Sequence, residues 1–125
     1  MSPESIWKWA QFKGITQIGT GDFTHPKWLD ELKEKLGPAG NGLFRLKKRF
    51  HSDDIPGSCK ADVFFLLTAE ISCIYSKNGK TRKIHSLIFV PDFADAVKIN
   101  SALSKIGNLN SDGRPILGLD ARELL

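Results

Sequence analysis

The sequence predicts an α/β fold in a single domain over residues 1–125, with about three to four strand–helix units and a β-hairpin. Apolar residues recur at helical spacing in segments that begin at a proline. A continuous apolar run, Val63–Leu67, is typical of a strand buried on both faces. Asn78 and Gly79 lie between two further apolar segments, and this pair is a strong signal for a hairpin turn.

The helices are marked by residues at their ends. Ser2 and Pro3 suit the start of a first helix, which Gly14 would end. Pro26 begins a second, and Gly37 and Pro38 end it. Its apolar face consists of Trp28, Leu29, Leu32 and Leu36.

Two more helix starts lie in the second half of the chain. Asp92 can cap a third helix that ends at Gly107. Asp120 and Glu123 have the spacing of a capping box, which predicts the start of a helix close to the last residue. We therefore expect the chain to be an interior segment of a larger α/β protein.

The strands are predicted from shorter patterns. Ile15–Ile18 is a short strand, and Ile71–Tyr75 and Lys83–Val90 flank the Asn-Gly turn. Residues 37–42 are predicted to form a flexible connector because they contain three glycines and a proline. Leu43–Phe50 alternates apolar and basic residues and is predicted to be an edge strand or irregular, and Ile116–Leu119 is a short apolar segment.

Charge is unevenly distributed along the chain. The net charge is +4, and residues 44–83 contain nine Lys and Arg against four Asp and Glu. Basic stretches of this kind can contact nucleic-acid phosphates, although solvated strands look similar. No apolar run is long enough for a membrane span, and the first residues do not resemble a secretory signal, so a cytoplasmic protein is expected. Cys59 and Cys73 lack paired spacing and are predicted to be reduced thiols.

The loop after the first predicted strand contains candidate metal ligands, Asp22 and His25. Ligands in α/β folds bind where strands end and helices begin. Carboxylate oxygen and imidazole nitrogen together suit zinc, manganese or iron. The alternative is that Asp22 or Thr24 merely caps the following helix and His25 lies on the surface.

Two further candidates lie in the middle of the chain. Glu70 follows the apolar run, and a carboxylate at such a strand end requires a partner or a metal. His85 lies inside a predicted strand, where a histidine is more often a packing residue than a ligand. Considered with Asp22 and His25, however, they form a plausible metal constellation.

Basic residues supply candidate phosphate contacts. Arg114 lies in a turn with Asp112 and could hold a phosphate through two hydrogen bonds. The alternative is a turn stabilised by its own side chains. A cluster of four cations precedes it in the chain: Arg45, Lys47, Lys48 and Arg49.

These motifs occur in an order that resembles the PHP (polymerase and histidinol phosphatase) superfamily, specifically its endonuclease Q-like branch. The similar segments are Gly19–Pro26, Thr68–Ser72, Ile74–Tyr75 with the Lys77–Lys80 turn, Lys83–Ile88, Lys98–Asn100 with Leu103–Leu109, and Ser111–Leu119. The resemblance spans nearly the whole chain and is especially close from Ser104 to Leu119.

The resemblance implies a (β/α) barrel with a cluster of divalent metal ions, zinc, manganese or magnesium, at the carboxyl ends of its strands. It implies that a metal-bound hydroxide hydrolyses phosphodiesters, and that DNA is nicked beside deaminated bases during repair. By position, Glu70, His85, Asp22 and His25 match metal-ligand positions. Phe23 stands where much of the superfamily has a histidine directly after the aspartate.

The resemblance also implies motifs that these residues do not contain. The superfamily has a His-x-His pair in its first strand and an Asp-x-His motif near its end, and neither occurs here. We therefore expect a partial barrel that is inactive as an isolated chain. The alternative is a non-catalytic remnant that binds nucleic acid or protein, or that self-associates into homo-oligomers through unpaired barrel edges.

Overall fold

In residues 1–111 and 114–125, which a computed structural model describes, six strands form one open sheet accompanied by four α-helices. The helices are α1 (Pro3–Phe12), α2 (Pro26–Lys35), α3 (Phe93–Leu103) and α4 (Ala121–Leu124). The strands are β1 (Gln17–Gly19), β2 (Leu36–Gly40), β3 (Leu43–Leu46), β4 (Phe64–Lys77), β5 (Lys80–Val90) and β6 (Ile116–Leu117). The predicted α/β class is confirmed, but the described strands do not close into a barrel.

Strand β4 is the centre of the sheet. Its first half pairs in parallel with β1 and antiparallel with β3, and β2 extends the sheet beyond β3. Its second half pairs antiparallel with β5 from Leu67 to Lys77, and in parallel with β6 at Ser72 and Cys73. The sheet is therefore mixed, and one long strand joins its two halves.

The length of β4 corrects one prediction. Val63–Leu67 and Ile71–Tyr75 were expected to be separate strands, but 14 consecutive residues form a single strand. Alternation explains the continuity, because Leu67, Ala69, Ile71 and Cys73 are all at most 1% exposed on one face. Glu70 consequently lies in the middle of a strand and not after the end of one.

The predicted flexible connector at residues 37–42 is also wrong in its first part. Residues Leu36–Gly40 form β2, which pairs with β3 through Leu36↔Leu46 and Pro38↔Phe44. A proline is tolerated there because β2 is an edge strand and needs no outward N–H donor. Asn41 and Gly42 have positive φ and make the turn. Accordingly β3, which was predicted to be an edge strand or irregular, lies between β2 and β4, and a 3₁₀ turn follows it at Lys48–Phe50.

Several predicted chain signals are confirmed. Ser2 caps α1 by accepting from the backbone N–H of Ser5, and Asp92 caps α3 by accepting from Asp95. Asp120 and Glu123 form both bonds of the capping box. Asn78 and Gly79 have φ of 54° and 70°, the positive values that a type I′ hairpin turn requires.

The buried side chains form two clusters. The larger packs α1 and α2 against the first half of β4 and includes Trp7, Leu32 and Phe65. The smaller lies under the second half of β4 and includes Ile71, Cys73, Leu103, Leu109 and Leu117. Both clusters lie on the sheet face that carries Ala69 and Ile71. Because side chains alternate along a strand, Glu70 lies on the opposite face. No helix in the described part of the chain is long and apolar enough to cross a bilayer.

Candidate functional site

The loop between β1 and α2 is held against β4 by a set of hydrogen bonds centred on Thr68. The N–H of Gly21 donates to Thr68 Oγ1 at 2.9 Å, and the N–H of Phe23 donates to the Thr68 carbonyl at 3.2 Å. Thr20 donates its N–H to the carbonyl of Leu66, and its hydroxyl accepts from the N–H of Thr68. The loop is therefore an ordered extension of the β1–β4 pairing.

Two further contacts fix the far side of this loop. Trp28 donates its indole N–H to the Gly21 carbonyl at 2.9 Å, and Asn100 on α3 donates to the Phe23 carbonyl at 3.0 Å. Phe23 is completely buried. A buried aromatic side chain at this position anchors the loop in the core, so Phe23 is part of the packing in this structure.

The loop contains one residue other than glycine in the left-handed backbone region. Asp22 has φ of 43°, the left-handed region that aspartate tolerates better than most residues. His25 is the N-cap residue of α2, but its side chain makes no capping hydrogen bond. The interpretation that Asp22 or Thr24 caps this helix is therefore wrong.

Glu70, His85 and Arg114 meet on the exposed face of the β4–β5 hairpin. Oε1 of Glu70 lies 3.0 Å from Nδ1 of His85, and Nη1 of Arg114 lies 3.0 Å from the same His85 nitrogen. Arg114 also forms a hydrogen-bonded ion pair with Glu70. All three side chains are between one third and one half exposed, so solvent reaches this cluster.

The protonation of His85 decides how these contacts are shared. With Nδ1 unprotonated, His85 accepts from the Arg114 guanidinium while Arg114 also donates to Glu70. With both ring nitrogens protonated, His85 is a cation that attracts the Glu70 carboxylate, 3.0 Å away, and repels Arg114. The cluster thus has one carboxylate, one imidazole and one permanent cation in mutual contact.

The four predicted metal ligands do not form one group in the structure. Residues 1–111 and 114–125 contain no group of three or more His, Cys, Asp or Glu side chains placed to hold a metal ion. Glu70 and His85 are adjacent, but the Arg114 guanidinium contacts both the oxygen and the nitrogen that a cation would need. The residues present therefore do not fit a metal cluster in this arrangement.

Arg114 was expected either to bind phosphate or to lie in a self-stabilised turn. The structure brings it to Glu70 and His85, immediately before β6. Asp112, which the turn interpretation included, lies outside the described residues. The sequence contained no signal for the contact between Arg114 and Glu70, because 44 positions separate them.

The basic cluster at residues 45–49 is largely engaged by the protein itself. Arg45 pairs with Asp62 at 3.5 Å and stacks over the ring of Phe64. Lys47 donates to the carbonyls of Lys33 and Glu34, the last turn of α2, where a cation is favourable. Arg49 lies over the Phe50 ring, with 4.7 Å between guanidinium carbon and ring centroid, and Lys48 begins the 3₁₀ turn.

The fold resembles that of a lesion-specific endonuclease of known structure. No protein-family model matches the sequence. At the level of sequence, the chain is 50% identical over 34 residues to the uncharacterized protein MJ0043 of Methanocaldococcus jannaschii. The matched segment covers 27% of this chain and 4% of that protein.

Two solved structures match almost the whole chain. One is the crystal structure of the lesion-specific endonuclease PfuEndoQ from Pyrococcus furiosus, with a TM-score of 0.73 and 26% identity over 99% of this chain. The other is Endonuclease Q in complex with a 27-mer duplex substrate that has an abasic lesion at the active site, with the same TM-score and identity. The chain spans about a quarter of each, 26% of their length.

Proposed function

We propose that this chain is a DNA-binding segment with a DNA repair nuclease-like role, of the PHP type and endonuclease Q-like branch. Its substrate would be duplex DNA containing an abasic site or a deaminated base. The observation that carries this proposal is the structural match over 99% of the chain to a lesion-specific endonuclease and to its DNA complex.

In the hydrolytic part of this role, Glu70 and His85 would be metal ligands. Asp22 and His25 would be two further inherited ligand positions. Because the described residues present no three-ligand metal group, the 125-residue chain is expected to bind DNA without cleaving it. A divalent cation, zinc, manganese or magnesium, remains a prediction from the family resemblance.

The test measures binding and cleavage separately. Fluorescence anisotropy with a labelled 27-mer duplex that contains one abasic site is compared with an intact duplex of the same sequence. We expect binding to both and tighter binding to the abasic duplex. Absence of binding to either duplex would contradict the proposal. Nicking assays with manganese, zinc and magnesium follow, and robust turnover by this chain would refute the expected inactivity.

A second candidate is a stand-alone, non-catalytic module that binds nucleic acid or a protein, alone or as a self-associated homo-oligomer. The observation that favours it is the Arg114 guanidinium between Glu70 and His85, which stabilises the pair without a metal. Equal affinity for abasic and intact duplexes would support this candidate over a lesion-specific role. Light scattering on a sizing column reports the oligomeric state, and a monomer at all concentrations would remove self-association.

A further inference from the structure

The second half of the β4–β5 hairpin is a two-stranded ribbon. Strand β6 pairs with β4 only at Ser72 and Cys73, so beyond Cys73 the strand partner of β4 in the described residues is β5. Four residue pairs follow, from Ile74↔Lys83 to Lys77↔Lys80. At the usual rise per residue, this ribbon extends roughly 13 Å beyond the sheet.

All charged residues of this ribbon are positive. Its cations are Lys77, Lys80, Arg82 and Lys83, and no aspartate or glutamate occurs between Glu70 and Asp92 in the sequence. All four are exposed. None of them makes an ion pair with any residue in the ranges 1–111 and 114–125.

The strand register distributes the four cations over both faces of the ribbon. Lys77, Lys80 and Arg82 lie on one face, since Lys77 pairs with Lys80 and Tyr75 pairs with Arg82. Lys83 pairs with Ile74 on the opposite face, the one that carries Glu70 and His85. Cations on both faces of a narrow ribbon can contact phosphates on the two sides of a groove.

The ribbon is better placed for phosphate contacts than the basic cluster at residues 45–49. Arg45 and Lys47 in that cluster already contact Asp62 and the end of α2, and moving them to a phosphate would break those contacts. The four ribbon cations have no such partner in the described part of the chain, so a phosphate backbone would meet no internal competition.

We propose that residues 74–83 form a basic β-ribbon that binds the phosphate backbone of duplex DNA. This inference rests on the proposed DNA-binding function and assigns its main contact to a segment outside the Glu70–His85–Arg114 cluster. The major groove of B-DNA admits a two-stranded β-ribbon, and Lys and Arg along such a ribbon neutralise phosphates and release counterions. The register connects the ribbon directly to Ser72↔His85, so bound DNA would continue toward that cluster.

The test compares two variants with the same change in net charge. The ribbon variant is Lys77→Gln/Lys80→Gln/Arg82→Gln/Lys83→Gln. The control variant replaces four exposed lysines elsewhere, Lys13→Gln/Lys27→Gln/Lys60→Gln/Lys105→Gln. Affinity for an intact 27-mer duplex is measured by fluorescence anisotropy over a series of salt concentrations. Thermal unfolding of each variant checks that the fold is retained.

We expect the ribbon variant to bind about 10-fold to 100-fold more weakly than the unchanged chain, and its salt slope to fall by about 3 to 4. The control variant should retain most of both. If the unchanged chain binds DNA and the ribbon variant keeps the same affinity and slope, the ribbon is excluded and the proposed function stands. Equal losses in the two variants would also overturn the ribbon, because net charge alone would explain them.

Two other outcomes concern whether the chain binds DNA at all. If the unchanged chain binds no duplex at all, the proposed function itself fails and the ribbon fails with it. Ribbon-dependent binding to phosphatidylserine–phosphatidylcholine vesicles without binding to DNA would likewise overturn the proposal, since the partner would then be a membrane surface.

Discussion

Oε1 of Glu70 lies 3.0 Å from Nδ1 of His85, although the two residues are not direct partners in the β4–β5 register. Glu70 pairs with Leu87 and His85 with Ser72, so the contact runs diagonally across the hairpin. Arg114, which precedes β6, completes the group by contacting both side chains.

The first prediction concerns competition between Arg114 and a metal ion. Arg114→Gln removes the cation that contacts Glu70 and His85, so Zn²⁺ should bind about 10-fold more tightly to the variant. Isothermal titration calorimetry measures this affinity. Arg122→Gln, an exposed arginine on α4, is the matched control. Unchanged Zn²⁺ affinity in Arg114→Gln would show that the guanidinium does not block a metal position.

The second prediction concerns the close approach of Gly19 to Thr68. A Cβ added at Gly19 would lie 2.7 Å from Oγ1 and 3.0 Å from Cγ2 of Thr68. Because Thr68 holds the loop through Gly21, Gly19→Ala should lower the free energy of unfolding by about 1 to 3 kcal/mol, measured by urea denaturation. Gly57→Ala, where an added Cβ meets no atom within 4 Å, should be nearly neutral.

A double-mutant cycle makes this second prediction specific to the contact. Thr68→Ala removes the atoms that clash, so Gly19→Ala should cost about 1 kcal/mol less in that background than alone. Additive losses of stability in the double variant would show that the two residues act independently.

The third prediction concerns Lys35, which pairs with Glu4 on α1 and with Glu31 within α2. Nζ of Lys35 lies 2.8 Å from Glu4 and 2.7 Å from Glu31. Hydrogen bonds to Glu31 and Glu4 raise the pKa of Lys35. For Glu4, burial acts to raise the pKa, but hydrogen bonding, chiefly to Lys35, outweighs it and leaves the pKa below the ordinary value of 4.5.

Stability should therefore depend on pH through Glu4. Its contribution is present above the unfolded-state pKa and is lost as the pH falls through the lower folded-state pKa. Glu4→Gln should reduce the loss of thermal stability between neutral pH and about pH 3, by no more than about 1 kcal/mol because the pair is partly exposed. The control is Asp30→Asn, which removes an exposed acid with no ion pair in the described residues, and equal effects of the two variants would contradict the role of the Glu4–Lys35 contact.

The fourth prediction concerns the two cysteines, both of which are free thiols. Cys73 is completely buried between β5 and β6, and burial raises the pKa of its thiol. Cys59 is partly exposed. A thiol reagent at neutral pH should therefore modify Cys59 in a fast phase and Cys73 only after unfolding. Cys59→Ser should abolish the fast phase, and a fast phase that survives this change would place Cys73 within reach of solvent.

Local signals were sufficient for much of the fold. The caps at Ser2, Asp92 and Asp120 and the Asn-Gly turn depend on interactions within a few residues, so the sequence predicts them directly. Element type was likewise predictable where apolar spacing was regular, as in α1, α2 and α3.

Two of the predictions that were wrong concern pairing between strands. Residues 36–40 have a composition that favours a loop, and only the neighbouring strand β3 makes them a strand. Similarly, Glu70 was predicted to follow the end of the Val63–Leu67 strand, but continuous pairing with β5 carries β4 through this position. Local propensity does not predict strand pairing of this kind, because the pairing depends on a partner strand.

For the candidate site, the sequence by itself determined which chemical groups are present: Asp22 and His25 in a glycine-containing loop, Glu70 and His85 in adjacent strands, and a run of cations around the Asn-Gly turn. Only the tertiary structure decided which of them meet. It places Arg114 against Glu70 and His85 and leaves the ribbon cations exposed. The physical reason is that hairpin register and the parallel pairing of β6 with β4 set these distances, and both depend on contacts between residues far apart in the chain.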